Sequence, residues 1–263
     1  MSSVAIQGNA SGAGVFTIAS PNSASSYTAT LPTQTGTLVS GTSTSNAVIP
    51  AGTTAIAPML LTSGTNLTSA TAGAIEYDGK VVYATPQGAQ RGVVPGAQFY
   101  RLNADLVGLN VNTAQNILGV GVTLSASTVY AFRLHFVLTK SAGATSRTTS
   151  LSFAGTATLN NILYGGAINS VNSAYASGLV TASQSFDANT AAATVASGAS
   201  TATAQTQYYY LAGTVSVNAG GTFIPQYTLS AAPGGAFSTV AGSYMLIYPI
   251  SASGGATNVG VWA

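Results

Sequence analysis

Large hydrophobic residues alternate with small or polar ones along much of this chain, which is the pattern of β-strands. The clearest case is the segment "VYAFRLHFVLT" from Val129 to Thr139, where every second side chain is large and apolar. One face of this predicted strand carries Tyr130, Phe132, Leu134, Phe136 and Leu138. The opposite face carries Ala131, Arg133, His135 and Val137. Such a strand can bury its first face in a core and leave the second face outside it.

The same period of two recurs in three further segments, "ILGVGVTL", "QYYYLAGTVSV" and "TFIPQYTLS". Their predicted apolar faces are Leu118, Val120, Val122 and Leu124; Tyr209, Leu211, Val215 and Val217; and Phe223, Tyr227 and Leu229. Gly-rich turn signals such as "NAGG" and "APGG" follow the segments. Short strands at turn-rich spacing predict an all-β fold, with a jelly-roll-like β-sandwich in its C-terminal part.

The stretch "GAIEYDGKVVYAT" predicts a β-hairpin around Asp78 and Gly79. An Asp-Gly pair is favoured in two-residue type I′ turns, where both central residues take positive φ. That register would pair Tyr77 with Lys80 and Ile75 with Val82. A second hairpin, with the turn "PTQTG", is predicted over Tyr27–Ser40.

Large apolar residues are sparse before Val93 and become dense after it. A segment so poor in large apolar groups cannot offset its own ordering entropy, so its strands are expected to pair with strands of other chains. We therefore predict two domains. Residues 1–92 form an N-terminal region of intertwined β-hairpins, and residues 93–263 form a C-terminal β-sandwich domain with its own core.

Charged side chains make up only 4% of the 263 residues, and all of them lie between Glu76 and Asp187. A net charge of +2 without clustered Lys or Arg argues against nucleic-acid binding. The longest apolar runs, "AIAPMLL" and "YMLIYPI", are much shorter than the ~20 residues of a spanning helix, so no membrane insertion is expected. The chain has no cysteine, which excludes disulfides and thiolate metal sites.

Few side chains are candidates for catalysis or metal binding. His135 is the only histidine, and the sequence places no acid or nucleophile with it as a Ser-His-Asp system requires. Glu76 and Asp78 are close enough in sequence to pair as carboxylates or to bind Ca²⁺. The turn already gives Asp78 a structural role, however, and Lys80 is a ready counter-charge. We predict no catalytic residue, no metal site and no cofactor.

Four residues are predicted to contact other molecules at the surface: Tyr208, Tyr210, Arg133 and His135. In the "YYY" triplet the middle ring of a strand faces away from its neighbours, so one tyrosine belongs to the core while the others can stack on a sugar. His135 shares a face with Arg133, where it would be exposed or at a subunit contact. The Ala/Thr/Ser stretch of residues 188–205 is predicted to be a surface loop, with a target-contacting loop as the alternative.

Several segments resemble the fibre proteins of tailed bacteriophages. "GVFTIASPNSASSYTATLPTQTGTLVS" is similar to their N-terminal repeat-like strands, and "TAGAIEYDGKVVYATPQGAQRGVVP" to the hairpin before the distal domain. "VNAGGTFIPQYTLSAAPGG", "GSYMLIYPI" and "GVWA" resemble the closing strands of that domain. The resemblance covers most of the chain and is weakest over residues 168–205.

This resemblance implies a homotrimer located in the virion, without catalytic residues. Its N-terminal region would attach to another virion protein, and its outer β-domain would contact a glycan or protein of the host surface. The alternative is a capsid-decorating or head-fibre protein that stabilises the particle or gives weak adhesion. A carbohydrate-active enzyme is a distant third reading, because four acidic residues leave little for carboxylate catalysis.

Overall fold

The computed structural model describes residue 49 and residues 51–172 and 182–262. The hairpin predicted over Tyr27–Ser40 lies outside the described residues. Contacts divide the chain into two units, Met1–Met59 and Leu60–Ala263. The division predicted between residues 92 and 93 falls within the second unit and stays a prediction.

The described residues are all β, with sixteen strands and no helix, which confirms the predicted class. The first eight strands are β1 (Ile75–Tyr77), β2 (Val82–Ala84), β3 (Gly92–Val94), β4 (Gln98–Arg101), β5 (Leu106–Val107), β6 (Gln115–Asn116), β7 (Val122–Leu124) and β8 (Thr128–Lys140). The others are β9 (Thr149–Ala154), β10 (Thr158–Val171), β11 (Ala182–Ala188), β12 (Thr194–Val195), β13 (Gln205–Ala219), β14 (Gly221–Leu229), β15 (Ser238–Thr239) and β16 (Tyr244–Ala252).

These strands form three antiparallel sheets. Strands β1, β2 and β3 make a small three-stranded sheet. The eight-stranded sheet begins with the order β11-β10-β13-β8. The far side of β8 pairs with two strands: its first part pairs with β16, which pairs in turn with β4, and its last residues pair with β15, which pairs in turn with β5. The five-stranded sheet runs β12-β9-β14, with β6 and β7 pairing different parts of β14.

The hydrophobic core lies where the eight-stranded and five-stranded sheets face each other. Phe132 of the larger sheet meets Phe153 of the smaller one at 5.3 Å between ring centroids. Phe153 also stacks on Phe223 at 4.6 Å and meets the edge of Tyr164 at 5.1 Å. Contacting rings from both sheets tie the two layers together, as expected for face-to-face packing.

The alternation predicted for β8, β13 and β14 is confirmed, because the apolar faces named above for these strands are buried in this core. The face predicted for "ILGVGVTL" is only partly right. Leu118 and Leu124 are buried, but Val120 is 43% exposed. Gly119 has a φ of 73°, so the backbone leaves the extended conformation there, and β7 begins only at Val122.

The hairpin at Asp78 exists, but the predicted register is wrong by two residues. Tyr77 pairs with Val82 instead of Lys80, and Ile75 pairs with Ala84. The type I′ turn requires two residues with positive φ, whereas in this loop only Gly79, at 87°, has one.

The side chain of Asp78 accounts for the longer loop. Its Oδ1 atom accepts hydrogen bonds from the backbone N–H groups of Lys80 and Val81, each at 2.8 Å. Its Oδ2 atom accepts one from the Tyr83 hydroxyl at 3.0 Å. Lys80 is not the counter-charge predicted for Asp78, because its Nζ donates to the carbonyl of Ala126 at 2.8 Å.

Glu76 also serves this small sheet. Its carboxylate accepts hydrogen bonds from Nε of Arg91 at 2.8 Å and from a second guanidinium nitrogen at 3.1 Å, which makes a bidentate ion pair. The backbone N–H of Leu67 donates to the same carboxylate at 2.6 Å. This backbone hydrogen bond, followed by the contact with Arg91, outweighs desolvation and lowers the pKa of Glu76.

We expect Asp78→Ala to lower the free energy of unfolding by about 1–2 kcal/mol, because two loop N–H groups and a tyrosine hydroxyl lose their acceptor. Asp78→Asn is the matched control, since it keeps the Oδ1 acceptor and should retain most of the stability. Urea unfolding of both variants measures the difference. Equal stabilities for Asp78→Ala and the native chain would show that the loop does not depend on this carboxylate.

Candidate contact surface on the eight-stranded sheet

The register of the eight-stranded sheet brings polar and aromatic side chains together on the face turned away from the core. Directly paired residues of antiparallel strands point to the same face. One row across this face is formed by Arg101, Tyr244, His135, Tyr210, Ala167 and Ser185. The next row is formed by Phe99, Leu246, Arg133, Ala212, Gly165 and Asp187. We call these two rows the outer face.

Four rings form a continuous aromatic ridge on one side of the outer face: Phe99, Tyr244, His135 and Tyr210. The imidazole of His135 lies between two tyrosines, with ring centroids 6.2 Å from Tyr210 and 5.7 Å from Tyr244. Phe99 continues the line at 5.4 Å from Tyr244. Phe99 and Tyr210 are 59% and 50% exposed. The ridge therefore offers stacking surface and hydrogen-bonding groups outside the core.

All four residues predicted to contact other molecules lie on this side of the sheet. His135 pairs with Tyr210, Arg133 lies one row away, and Tyr208 lies opposite Val137. The middle ring, Tyr209, is fully buried and stacks on Phe136 at 4.3 Å, as the alternation predicts. Their role as contact residues stays a prediction.

Sequence reasoning missed most members of the outer face, among them the large side chains of Phe99, Arg101 and Tyr244. Tyr244 reaches His135 through pairing between β16 and β8, which are more than a hundred residues apart in the chain. The short segment that holds Phe99 and Arg101 carries no clear alternation of apolar and polar residues. The segment "YMLIYPI", which begins with Tyr244, is apolar or aromatic throughout, so its sequence does not show which side chains face outward.

The charges of the outer face are separated from one another. Arg101 and Arg133 lie towards β4, and Asp187 lies on the edge strand β11. Burial lowers the pKa of His135, so this side chain is neutral at pH 7. Among the described residues the only ion pair joins Glu76 to Arg91. The outer face can therefore stack, donate hydrogen bonds and attract opposite charge.

The most perturbed cation in the described part of the chain is Lys140, at the end of β8. It is 3% exposed, and its ammonium group donates to the carbonyls of Ala142 (2.7 Å), Thr203 (2.8 Å) and Gly143. Burial, and secondarily the charge of Arg147, lowers the pKa of Lys140 to about 8. These acceptors are backbone atoms, so the sequence held no signal for them.

Arg147 is buried beside it with a similar set of acceptors. It is 2% exposed, and its guanidinium donates to the carbonyls of Thr145 (3.0 Å), Ser200 (3.3 Å) and Ala202 (3.0 Å) and to the side chain of Gln205 (2.7 Å). The ring of Phe237 faces both cations, 5.3 Å from the Arg147 guanidinium carbon and 5.9 Å from the Lys140 nitrogen. The two cations are thus held by carbonyls and a ring, without a carboxylate.

The prediction of a surface loop over residues 188–205 is right for most of the stretch, which is irregular and exposed or half-buried, but not for all of it. The stretch contains β12, and Ala196 and Ser197 within it are buried. Its carbonyls at Ser200, Ala202 and Thr203 bind the two buried cations. The backbone of this low-complexity stretch therefore takes part in the packing at the end of β8.

Comparison with known proteins adds no identity: no protein-family model and no curated protein matches the chain. Residues 51–172 and 182–262 contain no helix long and apolar enough to cross a membrane. The same residues contain no cluster of three or more His, Asp or Glu side chains with metal-ligand geometry. The outer face holds three of the four predicted contact residues, Arg133, His135 and Tyr210.

We expect the protein to become more stable as the pH rises from about 8 to about 10. The folded-state pKa of Lys140 lies below its unfolded value, so in this window the unfolded chain binds more protons and a rise in pH favours folding. The gain should be roughly 1–3 kcal/mol. Above pH 10 it should reverse, because burial raises the pKa of Tyr227 to about 12 and that of Tyr83 to about 12.

Urea unfolding of the native chain, Lys140→Met and Lys140→Arg between pH 7 and 11 measures this dependence. Neither a Met nor an Arg side chain titrates between pH 8 and 10, so neither variant should gain stability over that range. A native chain with a flat profile, or a Lys140→Met variant with the native slope, would contradict the assignment.

A second pH effect should come from His135. Its folded-state pKa is lowered, so the unfolded chain binds the proton more readily as the pH falls through about 6.5, and stability should decrease. Thermal unfolding between pH 7.5 and 5 should show this decrease in the native chain and a flatter profile in His135→Gln. The lowered pKa of Glu76 acts only at more acidic pH, below its usual range.

Proposed function

We propose that this chain is a structural subunit of a tailed-bacteriophage virion, a homotrimeric fibre whose outer β-domain contacts the host surface. The observation that carries the proposal is the outer face: a wide antiparallel sheet whose aromatic ridge nothing in the described chain covers. An uncovered aromatic surface of this kind is typical of a protein that binds other chains or glycans. The resemblance of the sequence to phage fibre proteins supplies the biological setting.

The positions of the acidic residues favour a structural role over hydrolysis. Glycoside hydrolysis needs two carboxylates about 5–10 Å apart, facing the same bond. Here Glu76 and Asp78 are bound within the small sheet, and Asp105 accepts the backbone N–H of Ala241 at 2.7 Å. Asp187 is the fourth acidic residue. Three of the four carboxylates thus have partners that hold the fold together.

The distribution of charge supports the division of the fibre into two parts. No charged side chain precedes Glu76, so the N-terminal part can pack against copies of itself without burying an unpaired charge. In this proposal residues 1–92 form an intertwined, trimerising stalk that attaches to another virion protein. Residues 93–263 form the outward, jelly-roll-like sandwich that meets a glycan or protein of the host surface.

Two measurements test this proposal. Light scattering on the purified full-length chain at micromolar concentration should give the mass of three chains, and a monomer would contradict the trimer. Gold-labelled antibody on intact particles should then mark the tail. Label confined to the head would contradict the tail fibre and favour the capsid-decorating or head-fibre alternative.

A further inference from the structure

We propose that a polar cavity beside the small sheet is a saccharide-binding site, in which Asn66 and Arg91 bind sugar hydroxyls and Trp262 packs against the sugar ring. The cavity lies within the unit Leu60–Ala263, and its lining residues are separate from those of the outer face. The inference goes beyond the proposed function, because it assigns a ligand class to a second site and does not depend on a role in a virion.

The cavity is formed where the C-terminal segment of the chain meets the small sheet. Its volume is about 370 Å³, which lies near the lower end of small-molecule sites, at about 300–1,000 Å³. Its polar lining residues are two amides, two hydroxyls and one guanidinium: Asn66, Asn258, Thr68, Ser69 and Arg91. Amides and hydroxyls both donate and accept hydrogen bonds, as the hydroxyls of a sugar do. The lining therefore matches a ligand that is rich in hydroxyls.

The amide of Asn66 is not committed to the fold. Its Oδ1 atom is buried and accepts no hydrogen bond within the described part of the chain. Most buried polar atoms in proteins have a partner, and an orphaned acceptor points to a donor from a ligand or an ordered water. Since Asn66 borders the cavity, the hydroxyl of a bound sugar can supply that donor.

Arg91 provides a donor that is already fixed in place. Its Nε and Nη2 atoms donate to the carboxylate of Glu76, and Nη2 also donates to the carbonyl of Leu67 at 2.7 Å. These bonds leave Nη1 for a ligand oxygen, so little conformational freedom is lost on binding. Because Glu76 balances the charge of Arg91, the cavity favours a neutral ligand over a phosphate or sulfate.

Trp262 adds an aromatic surface beside these polar groups. Its indole is 79% exposed, and its Nε1 atom donates to the carbonyl of Val259 at 2.9 Å. The side chain of Asn258 donates to the carbonyl of Trp262 at 3.3 Å. Val259 and Asn258 both line the cavity, so the ring is held next to it. The C–H face of a sugar ring can pack on such an indole while its hydroxyls reach the polar lining.

Fluorescence of the full-length chain tests the site directly, because Trp262 is the only tryptophan in the sequence. The probes are the methyl glycosides of glucose, galactose, mannose and N-acetylglucosamine, with glycerol at equal concentration as the control. At least one glycoside should change the emission of Trp262 saturably, whereas glycerol should not. If none of the four glycosides produces a saturable change, the inference is wrong.

Variants measured by calorimetry with the same glycoside identify the residues that bind it. Asn66→Ala should weaken binding roughly tenfold, because a sugar hydroxyl loses its partner. Trp262→Ala should weaken it by about as much, and Trp262→Phe should recover part of the loss because it keeps a ring. Asn103→Ala is the matched control for the asparagine, since Asn103 is exposed and contacts Arg101 outside the cavity. It should bind like the native chain, and circular dichroism checks that every variant keeps its β structure.

The outcomes separate this inference from the proposed function. Native affinity in both Asn66→Ala and Trp262→Ala would overturn the cavity as the binding site. Loss of binding in Tyr210→Ala together with native affinity in Asn66→Ala would also overturn it, and would assign the sugar to the outer face. A trimer located on the tail that binds none of the glycosides would leave the fibre proposal standing without this site. A monomer whose sugar binding depends on Asn66 and Trp262 would support the site and contradict the trimer.

Discussion

The structure depends on the pairing register of strand β8. This thirteen-residue strand pairs with β13 on one side and with β16 and β15 on the other. Its register therefore determines which residues of these neighbouring strands face the core. Because the side-chain period is two, the register that places Phe132 in the core also places Arg133 on the outer face. A shift by one residue would exchange the two faces. The core and the contact surface are therefore specified by the same hydrogen bonds.

The few charged side chains of this protein also stabilise its fold where cations are buried. Lys140, the last residue of β8, and Arg147 are both buried. Backbone carbonyls accept the hydrogen bonds of their charged groups. Carbonyl dipoles can replace part of the lost hydration, which is otherwise costly for a buried ion. The two side chains thereby fasten the segment of residues 200–205 to the end of β8. A chain with so few charges uses them as structural cross-links to the backbone, as Glu76 and Arg91 also show beside Leu67.

Alternation alone was sufficient to predict the all-β class and the buried faces of β8, β13 and β14, because burial on one side of a strand leaves a direct trace in sequence. Alternation did not predict those features whose geometry depends on something other than the burial of side chains. The carboxylate of Asp78 binds two loop amides and changes the register of its hairpin. Positive φ at Gly119 ends the extended conformation. The outer face was half predicted: His135 and Arg133 follow from one strand, whereas Tyr244 requires a pairing that only the fold creates.

The tyrosine triplet shows how this sheet separates stability from contact. Tyr209 stacks on Phe136 in the core, while Tyr210 meets His135 on the outer face. Adjacent identical residues thus belong to different surfaces, and only the backbone between them is shared. On the outer face the aromatic ridge offers contact area, whereas the few separated charges add little affinity of their own and act mainly by rejecting wrong alignments of a partner.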